Sequence, residues 1–217
     1  FIHGGSWASG DPADYGFVAR NIAAQGYVVV LAGYRLGKAG RYPGMLEDTA
    51  ADIGWVYRNI ARYGGDPERL VISGHSAGAY NAVQAVLDPQ WLAAAGVPRD
   101  AIRGVIGLSG PYDFYPFDTD STRAAFGSAG AGPDSQPVNT VTPGAPPMLL
   151  ITSSADTVVR PYNTENLAAK LREVGAPVEA ENYEGLSHEN VVMALSKPFR
   201  GKAPVLDRSV RFLDRAM

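Results

Sequence analysis

Short apolar runs alternate with longer amphipathic stretches along most of this chain. Tyr27-Val28-Val29-Val30-Leu31-Ala32 is continuous and rich in β-branched residues, the pattern of a strand buried on both faces. Leu70-Val71-Ile72, Val105-Ile106-Gly107-Leu108 and Met148-Leu149-Leu150-Ile151 read the same way. Val178 to Tyr183 alternates instead, which predicts an edge strand. Helical spacing fills the intervals. Asp14 to Ala24 is one helix, stopped by Gly26. Leu46 to Ala61 sets Ile53, Val56, Tyr57 and Ile60 on one face and ends at Gly64-Gly65. Ala77 to Leu87 follows the Leu70 strand. Tyr162 to Val174 aligns Leu167, Leu171 and Val174 before Gly175, and Val205 to Ala216 closes the chain. This alternation predicts an α/β fold, a mainly parallel sheet flanked by helices, in a single domain over 1–217.

One stretch breaks the pattern. Tyr112 to Pro147 is rich in Gly, Ser, Pro and Asp and carries Tyr112, Phe114, Tyr115, Phe117 and Phe126. It is too long for an ordinary connection. Two readings stand side by side: an irregular insertion whose aromatics line a substrate pocket, or aromatics that fill core near the sheet edge.

Composition narrows the function classes. The 217 residues carry a net charge of −3 with no basic stripe, which argues against nucleic acid as a partner. The absence of cysteine rules out disulfides, thiolate metal sites and a cysteine nucleophile. No apolar run is long enough to span a bilayer. The chain opens Phe1-Ile2-His3-Gly4-Gly5 without an initiator Met, and Phe1-Ile2 reads as the tail of a strand. The expectation is that upstream strands, and any signal peptide with them, are missing; the cytoplasm is the favoured compartment. A strand edge left open this way would invite pairing with a second copy, so a homodimer is among the expected states.

The chemistry gathers around Gly74-His75-Ser76-Ala77-Gly78, a G-x-S-x-G pentapeptide between a buried strand and a helix. That turn holds a serine in a strained, exposed position suited to nucleophilic attack. His3-Gly4-Gly5-Ser6-Trp7 follows the first strand, where glycines let backbone N–H groups approach a developing oxyanion. The N–H groups of Gly5, Ser6 and Ala77 are the expected oxyanion donors. A base follows by elimination from three histidines. His75 adjoins the serine and should point away around the turn, and His3 sits in the glycine loop. His188 lies in the loop after the last strand, in the order Ser…acid…His. Asp156 leaves the carboxyl end of the Met148 strand and is favoured as the acid over Asp113. Asp118, Asp120 and Asp134 read as solvated. Trp7, His75, Tyr112 and Phe114 are candidate pocket-lining residues. No metal or organic cofactor is expected.

These pieces, together with Tyr34-Arg35-Leu36, Gly65-Asp66-Pro67-Glu68-Arg69, Ser109-Gly110-Pro111-Tyr112-Asp113 and Gly185-Leu186-Ser187-His188, resemble the α/β-hydrolase esterases. The resemblance is to the carboxylesterase and kynurenine formamidase-like (BD-FAE-like) group, near the hormone-sensitive-lipase relatives. It implies an α/β-hydrolase fold, a Ser76–His188–Asp156 triad, and a structural role for Asp113. It also implies hydrolysis of small acyl esters through an acyl-enzyme, with cleavage of N-formylkynurenine-like amides as the alternative. Ser6 stands where lipase-like relatives carry a third glycine, which argues against bulky tertiary-alcohol substrates. A hydrolase fold kept only as a binding module is the reading from another class; retention of all three triad residues argues against it.

Overall fold

Backbone pairing largely follows the apolar runs. The computed structural model describes residues 1–127 and 130–217; Ser128 and Ala129, inside the 112–147 stretch, lie outside the described residues. The helices and strands run in the order α1 (Gly16–Ala23), α2 (Gly44–Asn59), β1 (Leu70–His75), α3 (Ala77–Leu87), α4 (Pro89–Ala95), β2 (Ile102–Leu108), α5 (Asp120–Phe126), α6 (Pro137–Thr140), β3 (Met148–Ser153), α7 (Tyr162–Glu173), β4 (Val178–Tyr183), α8 (His188–Met193) and α9 (Val205–Ala216). Among the described residues the strands form a four-stranded sheet ordered β1-β2-β3-β4, with every pairing parallel. β4 lies at one edge and is only partly buried, as its alternation predicted.

Period-two geometry divides β3 between two cores. Met148 and Leu150 join a core built with α2, α3, α4 and α7, while Leu149 and Ile151 join a second core with α1, α8 and α9. Every residue of β3 is buried, so its apolar run needs no polar face. α3 is buried along its whole length and packs behind β1 and β2.

The run Tyr27 to Ala32 departs from expectation. It forms no ladder strand, and Val28 is 46% exposed. Its backbone pairs with the dipeptide Phe1-Ile2: Phe1 N donates to Val30 O, and Ala32 N donates to Phe1 O. Ile2 in turn bridges Ala32 and Gly74. A cavity of about 360 Å3 is lined by residues of both Tyr27–Val30 and Leu70–Ser73 and not by Ser76.

The 112–147 stretch is more regular than its composition suggests. It holds α5, a 3-10 turn at Pro133–Ser135, and α6. A reciprocal Thr119–Thr122 capping box starts α5. Tyr112 and Phe126 are fully buried, and Phe126 meets Trp7, Tyr80 and Phe114 edge-on at centroid distances of 4.8, 5.2 and 5.1 Å. Phe114 and Phe117 are half-buried, and Tyr115 is exposed.

Candidate active site

All four strands of the ladder run the same way, so their carboxyl ends share one edge. Ser76 follows β1, Ser109 follows β2, Asp156 follows β3, and His188 follows β4. Ser76 has φ 55° and ψ −124°, a conformation that costs a non-glycine residue roughly 1–3 kcal/mol. Surrounding contacts hold it there. Its N–H donates to Leu108 O at 2.9 Å, and its carbonyl accepts from Ala79 N at 2.9 Å as α3 begins.

The glycines of the pentapeptide answer a demand for close approach. A Cβ on Gly78 would lie 2.2 Å from Ile2 O and 2.4 Å from His3 O. A Cβ on Gly74 would lie 2.3 Å from Gly78 O. The helix can therefore press against the chain entering the His3 loop only because both positions lack side chains. Gly4 in turn packs onto the nucleophile, since a Cβ there would meet Ser76 Cβ at 3.0 Å.

The loop backbone takes positive φ at three residues in succession. Gly5, Ser6 and Trp7 have φ of 126°, 53° and 58° in succession. Gly5 O accepts from Ala8 N and Ser9 N, each at 3.0 Å. Ala77 is the first residue of α3, so its N–H has no intrahelical acceptor, and among the described residues the N–H groups of Gly5 and Ser6 take no part in the backbone pairs of turns and loops. His3 orders this loop: its Nδ1 donates to Gly4 O at 2.7 Å and its ring stacks on Tyr34 at 4.6 Å.

Asp156 and His188 come together as a buried pair. His188 Nδ1 lies 2.8 Å from Asp156 Oδ2. The other carboxylate oxygen accepts from Val158 N at 3.0 Å and Val159 N at 2.9 Å. Burial pushes the Asp156 carboxyl up. The hydrogen bonds from His188 and Val159 outweigh it and hold the group below the usual carboxylate range. Ser109, whose buried hydroxyl lacks a partner of good hydrogen-bond geometry, adds a smaller contribution in the same direction. Nδ1 donating to a carboxylate leaves Nε2 as the basic nitrogen of a neutral His188. His188 is the first residue of α8, capped by Ser187, where the sequence predicts a loop. Among the described residues the Ser76 hydroxyl makes no hydrogen bond, and such contacts commonly tighten only around substrate.

The remaining candidates take varied positions. Trp7 is buried, donates from Nε1 to Asn81 Oδ1 at 3.1 Å and packs in the aromatic cluster. Tyr112 is wholly buried, and Phe114 is half-buried beside Trp7. His75 is buried with both ring nitrogens engaged. Asp113 accepts from Asn166 Nδ2 at 2.7 Å, away from His188. A second cavity, about 320 Å3, adjoins the glycine loop and is lined by Gly4, Gly5, Tyr15, His75, Glu189 and Met193. Among the described residues no three His, Asp or Glu side chains converge as a metal site.

Two supporting residues carried no signal in the sequence. Ser153 Oγ accepts from Leu186 N at 3.1 Å and so ties the Asp156 turn to the His188 loop. Asn163 Oδ1 accepts from the N–H groups of both Tyr112 and Asp113 at 2.9 Å, which anchors the start of the 112–147 stretch on α7.

Comparison with known proteins identifies the fold and the family. Esterase LipC of Mycobacterium tuberculosis is 31% identical over 193 residues, covering 80% of this chain and 48% of LipC. Isoprenylcysteine alpha-carbonyl methylesterase ICME of Arabidopsis thaliana is 28% identical over 222 residues, covering 93% of this chain and 52% of ICME. The chain thus spans about half the length of these curated relatives. The esterase Est2 of Thermogutta terrifontis superposes with a TM-score of 0.79 at 23% identity, covering 98% of this chain and 79% of that one. The fold is that of the α/β-hydrolases, as the motifs implied. No helix among the described residues is long and apolar enough to cross a membrane. Residues 1–171 match the BD-FAE family model, a span that includes the glycine loop, Ser76 and Asp156 and stops short of His188. Because that match takes in most of the chain, the protein belongs to the BD-FAE family.

Proposed function

We propose that this chain is a serine carboxylesterase that hydrolyses small acyl esters by two-step acyl transfer. The observation that carries the reading is the 2.8 Å pair of His188 Nδ1 with the buried Asp156 carboxylate, at the sheet edge that also holds the strained Ser76. Ser76 Oγ attacks the ester carbonyl carbon while His188 Nε2 takes its proton. The N–H groups of Gly5, Ser6 and Ala77 stabilise the oxyanion, and Asp156 stabilises the imidazolium. The tetrahedral intermediate collapses as His188 protonates the departing alkoxide. Water, deprotonated by His188, then releases the carboxylic acid and regenerates Ser76.

The names of the relatives support ester hydrolysis: LipC is an esterase and ICME a methylesterase. The two cores share one sheet, which supports reading 1–217 as one catalytic domain.

The test is covalent labelling with a fluorophosphonate probe alongside turnover of p-nitrophenyl acetate. The wild-type protein should label at Ser76, and Ser76→Ala should lose both labelling and turnover. Near-wild-type turnover in Ser76→Ala would overturn the assignment. Faster turnover of N-formylkynurenine than of the ester would leave the triad standing and replace the substrate class.

A further inference from the structure

His75 is a buried titratable side chain beside the nucleophile that acyl transfer does not use. It is 4% exposed, and both of its nitrogens are engaged. Nε2 lies 3.2 Å from the carbonyl oxygen of His188. Nδ1 lies 3.0 Å from the hydroxyl oxygen of Tyr15. That oxygen is 3.1 Å from the N–H of Gly4.

These contacts fix every proton in the line. A carbonyl only accepts, so Nε2 carries the hydrogen. A neutral imidazole then has a bare Nδ1, which accepts from the Tyr15 hydroxyl. The Tyr15 oxygen accepts from Gly4 N–H. Protonating His75 would turn Nδ1 into a second donor facing the Tyr15 oxygen and strip the hydroxyl of its acceptor. Burial first, and then the neighbouring His188, push the His75 pKa down to about 3, so the neutral form is the stable one.

The line joins two parts of the site that sit far apart in the chain. Gly4 packs against Ser76 Cβ at the start of the glycine loop. His188 is held at Nδ1 by Asp156, while His75 holds its backbone carbonyl. The His75 and His188 rings lie 4.8 Å apart, so a small shift of one is felt by the other. A base anchored at two points keeps its orientation, and a functional site tolerates errors of only about 0.5 Å.

We propose that Tyr15 and His75 are positioning residues, a neutral single-tautomer strut that sets the glycine loop and the base His188 relative to one another. The strut acts on the rate of acyl transfer and leaves ground-state binding of substrate nearly untouched. Its kinetic consequence rests on the Ser76–His188–Asp156 reading; its tautomer does not.

Two measurements test it. Long-range proton–nitrogen NMR of the wild-type imidazoles at neutral pH is tractable with three histidines in the chain. It should report His75 as the Nε2–H tautomer with a hydrogen-bonded, unprotonated Nδ1. An Nδ1–H tautomer or an imidazolium would overturn the strut without any variant being made. The second measurement compares Tyr15→Phe, His75→Gln and the double variant on p-nitrophenyl acetate, with fluorophosphonate labelling rates in parallel. Tyr15→Phe removes one oxygen from a half-buried side chain. It should lower kcat and the labelling rate about 10- to 100-fold and leave KM within about twofold. The double variant should lose no more than His75→Gln alone, because either change breaks the line. Wild-type kcat in Tyr15→Phe, a change confined to KM, or additive losses would overturn the proposal. Wild-type protein that fails to label at Ser76 would instead overturn the esterase reading, so the two failures are distinct.

Discussion

Replacing Asp156 by asparagine keeps the side chain's shape and removes its charge. The consequence follows from which oxygen does what. Oδ1 accepts two backbone N–H groups, from Val158 and Val159. The asparagine oxygen must stay there, because its NH2 group cannot face two donors. The NH2 then occupies the position of Oδ2 and points at His188 Nδ1. Two donors cannot share that contact, so the imidazole moves its proton to Nε2 and presents a bare Nδ1. A His188 in this tautomer cannot take the Ser76 proton. The expected loss is about 10^4 in kcat, near 5.4 kcal/mol of transition-state stabilisation at about 1.36 kcal/mol per tenfold. Substrate binding is not at issue, so kcat/KM should fall equally. The assay is steady-state hydrolysis of p-nitrophenyl acetate at neutral pH.

Stability supplies a second readout with a definite sign. Asp156 is 1% exposed and its carboxyl is held below the usual range by the hydrogen bonds it accepts. A depressed folded-state value means the carboxylate stabilises the fold fully above the unfolded value of about 3.9. That contribution fades as pH falls toward and through the lower folded value. The wild type should therefore exceed Asp156→Asn in urea midpoint at pH 7, and the gap should shrink as pH falls below about 4. A loss in kcat of less than tenfold, or a gap that widens in acid, would refute the reasoning.

Other changes probe the scaffold around this pair. Gly78→Ala puts a methyl 2.2 Å from Ile2 O, so the chain entering the glycine loop must move. Fluorophosphonate labelling should slow at least about tenfold and stability fall by about 1–3 kcal/mol; an unchanged labelling rate would contradict the close approach. Phe126→Ala empties the centre of the aromatic cluster and should cost about 3–5 kcal/mol in urea unfolding, whereas a loss below about 1 kcal/mol would mean that the 112–147 stretch is not core. Asn163→Ala leaves the N–H groups of Tyr112 and Asp113 without their acceptor and should cost about 1–3 kcal/mol by the same assay.

Several elements were open to a reader of the amino acids alone. The β3 run Met148-Leu149-Leu150-Ile151 is legible because a strand buried on both faces has no polar position to confuse it. The elbow is legible because Gly74 and Gly78 answer a steric demand that few other local structures make. α4 is not among the helices that apolar spacing predicts, although Asp88-Pro89 carries the signal: Asp88 caps the helix by accepting from Gln90 N, and Pro89 fills its first position. Tyr27 to Ala32 reads as a buried strand, yet pairing depends on what lies beside it, and propensity says nothing about that.

Local chemistry thus suffices for the serine turn, the glycine loop and the short roster of histidines, because each depends on neighbours within a few residues. Long-range packing decides the rest. Tyr15 looks like any half-buried helix-flanking tyrosine until α1 and β1 are set side by side, and only then does its hydroxyl meet His75. His75 is a doubly bonded ring as well as a cavity-lining residue because Tyr15 meets its Nδ1 and α8 brings the His188 carbonyl to its Nε2. Ser153 and Asn163 acquire their roles from N–H groups that distant segments present to them. A hydrogen bond between such segments needs both partners within about 3 Å, and the order of residues along a chain does not encode that distance.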